Sequence, residues 1–495
     1  MKSKTKFSSI ALLAAALTLT AGTAGAAPFA SQITVSSTSV EVGDGLTIAY
    51  FINEAGSTVT IEVLSSTNTI LATFAGTATV GANSVVWNGT ADNASGAAVG
   101  AGSGRKVQIT AAKTAAAGWA EIASNRSVGN FGAPATLNTL FAGFSGRDVH
   151  SFDDPNSPRF GIVVSSSSFS VPAHYGFIPF NPDLSVYGGG DGLTARVMKH
   201  PADPLVATIG AVTSNQATWG VEADPDNSEN LYVFGQGLPD VTYANNAAAG
   251  SGFADLTSIS PNAATANYRG GAVRTIASVK FAYLASGNST ITRRQIDGTN
   301  QILLAPSDNI LGLTAANLYS REVLFDAAGN LYWVSRFAGT AGAGNGRLFR
   351  WSAALASAAV AASLTEANAD WVVTLPSTGA DEVTDAIIAP NGSVFLVAES
   401  GIYAVGNTSD ATKTITLTAS EKVLDFAALS GGFVLGPLGG ADMDFAGNII
   451  VCENVNEQIR TYTPGGNTSV VVPAPSAQAF DIVMLSSSQN WEMYK

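Results

Sequence analysis

The chain has 495 residues, of which 12% are charged and 46% hydrophobic, with 51 glycines and a net charge of −13. That length suffices for two or more domains with cores of their own, and the acidic balance argues against nucleic acid or anionic membranes as partners. Scarce charge beside abundant Gly, Val, Thr and Ile describes an all-β exported protein, not a cytosolic enzyme.

The first 26 residues read as a signal peptide. Lys2, Lys4 and Lys6 make a basic start, Ile10 to Thr20 an apolar middle, and Ala24-Gly25-Ala26 a small-x-small cleavage pattern. The apolar run is too short to span a bilayer, and no later run is apolar enough to do so. The expected destination is therefore secreted, extracellular or at the cell surface, with no membrane span. The single cysteine, Cys452, falls inside a predicted buried strand and reads as a small core hydrophobe.

From 28 to 126 the text predicts a small sandwich. Gln32–Val35, Leu46–Phe51, Val59–Leu64, Ile70–Phe74, Ser84–Trp87 and Lys106–Thr110 alternate like short strands between Gly-, Asn- and Ser-rich turns. Within it, Val86-Trp87-Asn88-Gly89-Thr90-Ala91-Asp92-Asn93, then Gly96, then Gly100 to Gly104, resembles the Ig-like domain of the flagellar-hook-capping (FlgD-type) family. The resemblance implies a spacer or adhesion module; it departs where Arg105-Lys106-Val107 stands in place of the family's aromatic. Trp87 is expected in the sandwich core. Residues 127–136, with Gly129, Gly132 and Pro134, read as a linker.

From 137 to 495 one phrase recurs. Met443-Asp444-Phe445-Ala446-Gly447-Asn448-Ile449-Ile450-Val451 returns as Leu324-Phe325-Asp326-Ala327-Ala328-Gly329-Asn330-Leu331-Tyr332-Trp333, and in altered form around Pro390-Asn391-Gly392 and Asp224 to Asn230. Phe160–Val164 and Val279–Leu284 keep only the strand. Second hairpins follow: Ile291–Ile296 into Gln301–Pro306, Ile402–Val405 into Thr414–Leu417, Arg460–Tyr462 into Ser469–Pro475. An Ala-rich insertion, Ala353–Ala369, suggests a short helix. The spacing predicts a β-propeller of six or seven four-stranded blades. Ala479–Met484 reads as an inner strand whose blade is completed from the start of the domain, so that the ring closes.

The Asp-x-x-Gly-Asn phrase followed by an Arg-x-Tyr-x-Pro strand is similar to the NHL and SMP-30/gluconolactonase-like propellers. That resemblance implies a binding platform or a metal-assisted hydrolase or lyase. The candidate chemistry is positional: Glu322 and Asp385 precede their turns by four residues, and Glu222, Asp442 and Asp481 lie nearby in other copies. Such acids entering inner strands would face the channel, where Glu322, Asp385 and Asp442 would ligate a hard cation such as Ca²⁺. Asp442 is two residues out of step. Asp224, Asp226 and Ser228 have alternate-position spacing but lack the glycine of a calcium loop. His150, His174 and His200 show no zinc spacing, and Trp333, Trp351 and Trp371 read as inter-blade packing. The expected function is a binding or interaction scaffold, with a protein or carbohydrate ligand on the propeller face. The alternatives are a lactonase-like metal enzyme and a structural envelope or matrix component.

Overall fold

The computed structural model describes residues 28–114, 119–124, 146–157, 159–167, 176–185, 187, 217–236, 241–245, 255–258, 268–286, 290–305, 318–338, 346–358, 360–376, 381–429, 435, 439–453, 458–463, 467–473 and 478–483. The signal peptide expected at 1–26, the linker at 127–136, His174 and His200 lie outside them. Regular structure is almost all β, with short helical turns such as Ala353–Ser357 in the Ala-rich insertion.

The first strands are β1 (Ala30–Val35), β2 (Ser39–Glu41), β3 (Leu46–Ile52), β4 (Thr58–Leu64), β5 (Ile70–Ala75), β6 (Gly81–Trp87), β7 (Gly102–Thr114) and β8 (Ala120–Ser124). There follow β9 (Gly146–Ser151), β10 (Val163–Ser167) and β11 (Gly176–Phe180), then β12 (Ala217–Asp224), β13 (Asn227–Gln236), β14 (Val241–Asn245) and β15 (Asp255–Ser258). The next are β16 (Tyr268–Ile276), β17 (Val279–Ser286), β18 (Ile291–Gln295), β19 (Ile302–Ala305), β20 (Leu318–Phe325), β21 (Leu331–Ala338), β22 (Arg347–Trp351) and β23 (Trp371–Thr374). The last are β24 (Val383–Ile388), β25 (Ser393–Ala398), β26 (Gly401–Asn407), β27 (Lys413–Thr416), β28 (Lys422–Asp425), β29 (Gly440–Met443), β30 (Ile449–Glu453), β31 (Gln458–Thr463), β32 (Asn467–Pro473) and β33 (Phe480–Val483).

Two sheets enclose the N-terminal core. One has the order β1-β3-β6; the other is centred on β7, flanked on one side by β4 and β5. Period-two alternation decides which faces meet: Val59, Ile61 and Val63 of β4 are buried while Thr58 and Thr60 are exposed. The other side of β7 is taken by strands from the far end of the chain. β32 pairs with it from Gln108 to Thr114, and β33 pairs with it near Gly102 and Arg105, with β2 parallel outside. Val472, Phe480 and Ile482 join the core formed by Trp87, Ile109 and Leu46.

Two expectations are corrected here. Ser469–Pro475 is not the outer strand of the last blade, and Ala479–Met484 does not supply an inner strand. Their alternating apolar residues fit any half-buried strand, and the unfilled edge of β7 is what they fill. The 137–495 segment is thus not wholly propeller.

The remaining strands form six sheets among the described residues, in the orders β9-β10-β11, β12 to β15, β16 to β19, β20 to β23, β24-β25-β26-β28 and β29-β30-β31-β8. The repeated phrase makes the same turn each time it occurs in full. Asp326 accepts the Asn330 N–H (2.8 Å) and side-chain amide (2.8 Å), and Asp444 does likewise with Asn448 (2.9 and 2.8 Å). Gly329 and Gly447 sit at φ +83° and +84°, where a side chain would be strained. Both turns join the first strand of a sheet to the second, so Asn330 and Asn448 hold equivalent places.

The sheets succeed one another around a closed circle, a β-propeller. Hydrogen bonds mark every step. Val221 N–H reaches Asp148, Lys280 reaches Asp224, and Gly271 N–H reaches Glu322. Arg321 then reaches the Thr384 carbonyl, Ala441 N–H reaches Asp385, and Ser151 N–H reaches Asp442 back in the first sheet. Closure comes from β8, which pairs with β31 as the fourth strand of the last sheet. An N-terminal strand does close the ring, but it comes from 120–124, inside the segment assigned above to the sandwich. Another strand also changes partner: β27, expected beside β26, adds in parallel to β23 of the preceding sheet and covers its edge. Buried aromatics fill the gaps between sheets, with Trp333, Trp351 and Trp371 fully enclosed.

The two-sheet unit sits at the turn end of the ring. Phe29 packs on Phe160 (5.7 Å between ring centres), and Phe160 on Phe445 of the last sheet's turn (5.1 Å). The chain crosses between the units twice, once into β8 and once back into β32. Full-length protein should therefore unfold in a single calorimetric transition. A chain ending at Thr463 exposes β7 and loses the burial of Val472, Phe480 and Ile482, about 1.5–3 kcal/mol each, and should melt markedly lower; an unchanged melting temperature would refute this dependence.

Candidate functional site

The innermost strands β9, β12, β16, β20, β24 and β29 surround the axis, and their acids stand near it. Asp148 accepts from its own neighbour Val149 N–H and from Val221 N–H of the next sheet, both at 2.8 Å. Glu322 does the same with Val323 (2.9 Å) and Gly271 (3.0 Å), and Asp385 with Ala386 (2.7 Å) and Ala441 (2.8 Å). Asp442 repeats the scheme with Met443 and Ser151, both at 2.8 Å. One carboxylate therefore ties two backbone segments from adjacent sheets at four of the six steps. The room is made by glycine: a Cβ on Gly270 would overlap the Arg321 carbonyl oxygen and the Glu322 carboxylate.

These acids do not form one cage. Glu322 precedes its turn aspartate, Asp326, by four residues, whereas Asp442 precedes Asp444 by two, so Asp442 lies nearer the turn end. Its side chain keeps 29% exposure, beside the His150 imidazole at 3.6 Å. Burial pushes that imidazole down to about 4, so His150 is neutral near pH 7. Among the described residues, no group of three or more His, Cys, Asp or Glu is placed to hold a metal ion. In the turn with alternate-position acids, Lys280 Nζ stands 2.6 Å from both Asp224 oxygens and 3.3 Å from Asp226. An ammonium occupies the place a cation would take. Asp481 lies on β33, away from the ring, where its carboxylate accepts from Gly104 N–H.

Burial dominates the electrostatics. It pushes Asp148 and Glu322 well above the usual carboxylate range, with neighbouring acids adding to the shift. Asp385 rises to about 6 and Glu222 to about 8 for the same first reason. Cys452, fully buried on β30, is pushed up to about 12, which leaves it a protonated core thiol.

The other level of the axis is cationic and was missed in the sequence. Arg147, Arg269 and Arg321 come from β9, β16 and β20, and their guanidinium carbons lie 4.4, 4.3 and 5.8 Å from the Trp219 ring centre on β12. Arg321 also donates to the carbonyls of Thr384 (3.0 Å) and Gly439 (3.1 Å), in the fifth sheet and just before the sixth. Side chains of four sheets thus gather at Trp219, and Arg321 ties them to the fifth sheet and to the segment leading into the sixth. A signal was present: Arg147-Asp148-Val149 and Arg321-Glu322-Val323 share one pattern, arginine, acid, valine.

No protein-family model matches this sequence, and no curated protein sequence does. Solved structures with related shape include a protein of unknown function from Dyadobacter fermentans, at 9% identity over 70% of this chain and 99% of that one, TM-score 0.39. The β-propeller domain of Cps50 (Swd1) from Myceliophteria thermophila shares 10% identity over 66% of this chain and 99% of its own, TM-score 0.34. The extracellular domain of a putative hybrid two-component system from B. thetaiotaomicron shares 10% identity at TM-score 0.34, and this chain spans only 39% of it.

Glu222 gives a pH test. Folded, it holds its proton up to about pH 8; its ordinary value is 4.5. Its contribution to stability is therefore complete below pH 4.5 and is lost as pH rises toward 8. Glu222→Gln should melt with the wild type at pH 4 and several degrees above it at pH 8 in thermal unfolding. Equal melting at both values would show that Glu222 ionises freely in the fold.

Proposed function

We propose that this is an exported binding protein: a six-bladed propeller of the NHL type that takes its ligand at the end of the ring opposite the two-sheet unit. The two-sheet unit acts as a FlgD-type Ig-like spacer completed by the C-terminal strands. Support for that likeness is local: Trp87 Nε1 donates to the Thr90 carbonyl (2.8 Å), and Asn93 bridges Asn88 N–H and the Val86 carbonyl. Support for export is the pattern of residues 1–26.

The observation that carries the binding reading is the engagement of the channel acids. Asp385 and Asp442 each use both carboxylate oxygens on backbone amides, and Glu322 Oε1 takes two. A hard cation needs several such oxygens directed at one point, and moving them would leave buried N–H groups unpaired at about 1–3 kcal/mol each. A strut between blades accounts for these acids better than a lactonase-like metal centre. The end of the ring opposite the repeated turns is the recognition face for a protein or carbohydrate.

Calcium decides between the two readings. Titration calorimetry of the mature protein should show no saturable Ca²⁺ heat, and a chelator should leave the melting temperature unchanged. Stoichiometric Ca²⁺ binding abolished by Asp385→Asn would replace the binding reading with the metal-enzyme one.

A further inference from the structure

The turn between β25 and β26, in the fifth sheet, stands at the end of the ring opposite the repeated turns. Its Ser400 hydroxyl lies between opposite charges. Ser400 Oγ donates to Asp381 Oδ2, just ahead of β24, and accepts from Lys422 Nζ of β28 at 2.8 Å. Asp381 is oriented for this contact. Its other oxygen takes the Ser400 N–H (2.9 Å), and the Tyr403 hydroxyl of β26 reaches Oδ2 at 3.4 Å. The Lys422 side chain, 18% exposed, lies over the Tyr403 ring with Nζ 5.3 Å from its centre. The turn is pressed onto β28: a Cβ on Gly401 would overlap the Leu424 carbonyl oxygen, and Phe426 N–H donates to the Ser400 carbonyl (3.1 Å).

A clasp for the turn needs less than this. The amide and hydroxyl of Ser400 on one carboxylate already tie the hairpin to the start of β24. Lys422 adds something else: it stands 3.9 Å from the Asp425 carboxylate, beyond hydrogen-bond reach, and directs its short bond at a neutral hydroxyl. The row of ammonium, hydroxyl and carboxylate polarises the O–H bond from both ends. The carboxylate draws the proton, and the positive charge stabilises the oxygen left behind. A hydroxyl within hydrogen-bond reach of a base that a third group orients is the arrangement of nucleophilic catalysis. Asp381, Ser400 and Lys422 are half-buried, and Asp425, Ala427 and Ala428 beside them are exposed; an acyl group can approach from that side.

We propose that Ser400 is the nucleophile of an acyl-transfer site that cleaves carboxylic esters. Ser400 Oγ adds to the ester carbonyl carbon as its proton passes to Asp381 Oδ2, and the Lys422 ammonium faces the negative oxygen of the tetrahedral intermediate. The bond to the alcohol then breaks, and the alcohol leaves with the proton held on Asp381. Water attacks the acyl-serine with Asp381 again accepting the proton, which releases the acid and restores the hydroxyl. An ester fits better than an amide because an alcohol departs more readily than an amine. This activity goes beyond the binding reading and does not depend on it.

The test uses full-length mature protein with p-nitrophenyl acetate and with a fluorophosphonate probe, whose phosphorus takes the serine oxygen as fluoride leaves. Mass spectrometry should find one phosphonyl group per chain, on Ser400, and p-nitrophenol should be released faster than in buffer. Ser400→Ala should lose both. Asp381→Asn keeps an acceptor for the Ser400 N–H, and Lys422→Gln keeps a donor to Oγ. Each should slow labelling at least about tenfold while melting within a few degrees of wild type. A mere clasp would behave the other way, with melting lowered and reactivity unchanged. The site is overturned if no adduct forms on Ser400, if both variants label at the wild-type rate, or if ester turnover survives in Ser400→Ala. Such a failure leaves the propeller a binding protein, whereas Asp385-dependent Ca²⁺ binding would replace that reading and leave the labelling of Ser400 intact.

Discussion

The carboxylate that accepts one amide from its own strand and one from the strand of the next sheet is the constraint on which the ring depends. Neighbouring inner strands in a propeller diverge too steeply to form a ladder, so their N–H groups near the axis need acceptors from side chains. Asp148, Glu322, Asp385 and Asp442 provide them. An aspartate or glutamate suits this position because it reaches across the gap and offers acceptor lone pairs in either protonation state. A charged form so far from water would be costly, and the raised values of Asp148, Glu222 and Glu322 show how the chain meets that cost: by keeping the proton.

Exchange of strands between the two units extends the same logic to the edges. A ring whose last sheet had three strands would present an open edge, as would the two-sheet unit without its C-terminal strands. β8 fills the first and β32 with β33 the second. Each unit is thus completed by the other's end of the chain, and the aromatic contact of Phe29, Phe160 and Phe445 holds them together where the crossings occur. β27 applies the device a third time, inside the ring, with Arg350 donating to the carbonyls of Thr408, Asp410 and Ala411 to fix the detour.

Much of the architecture was legible because it is written in local chemistry. The Asp-x-x-Gly-Asn turn fixes its own geometry through positive φ at Gly329 and Gly447 and through side chains two to four residues apart, so the repeat could be read without a structure. The first-strand acids Glu322 and Asp385 were picked out by distance from that turn. Their partners were not legible, since Gly271 and Ala441 are 51 and 56 residues away and offer only backbone N–H. The same limit explains the strands assigned to the wrong sheet. β32 and β33 carry the alternation of any edge strand, and pairing partners hundreds of residues apart leave no mark on local pattern. Trp219 bears no local mark of its surroundings, since the arginines around it come from three other sheets.

The axial levels differ in charge for a reason that follows from these geometries. Near the amide-binding level, burial and like-charge crowding can be relieved by retaining protons, because carboxylates titrate within reach of neutral pH. Arginine has no such release: even pushed down to about 9, Arg147 is charged at pH 7. Three such groups stand around one indole, and the carboxylates of Asp385, Glu322 and Asp148 lie close enough to act on the charge of Arg321. Structural need alone accounts for Arg321, whose two carbonyl bonds tie the fourth sheet to the fifth and sixth. It does not account for the buried N–H of Trp219 beside it, which meets no acceptor.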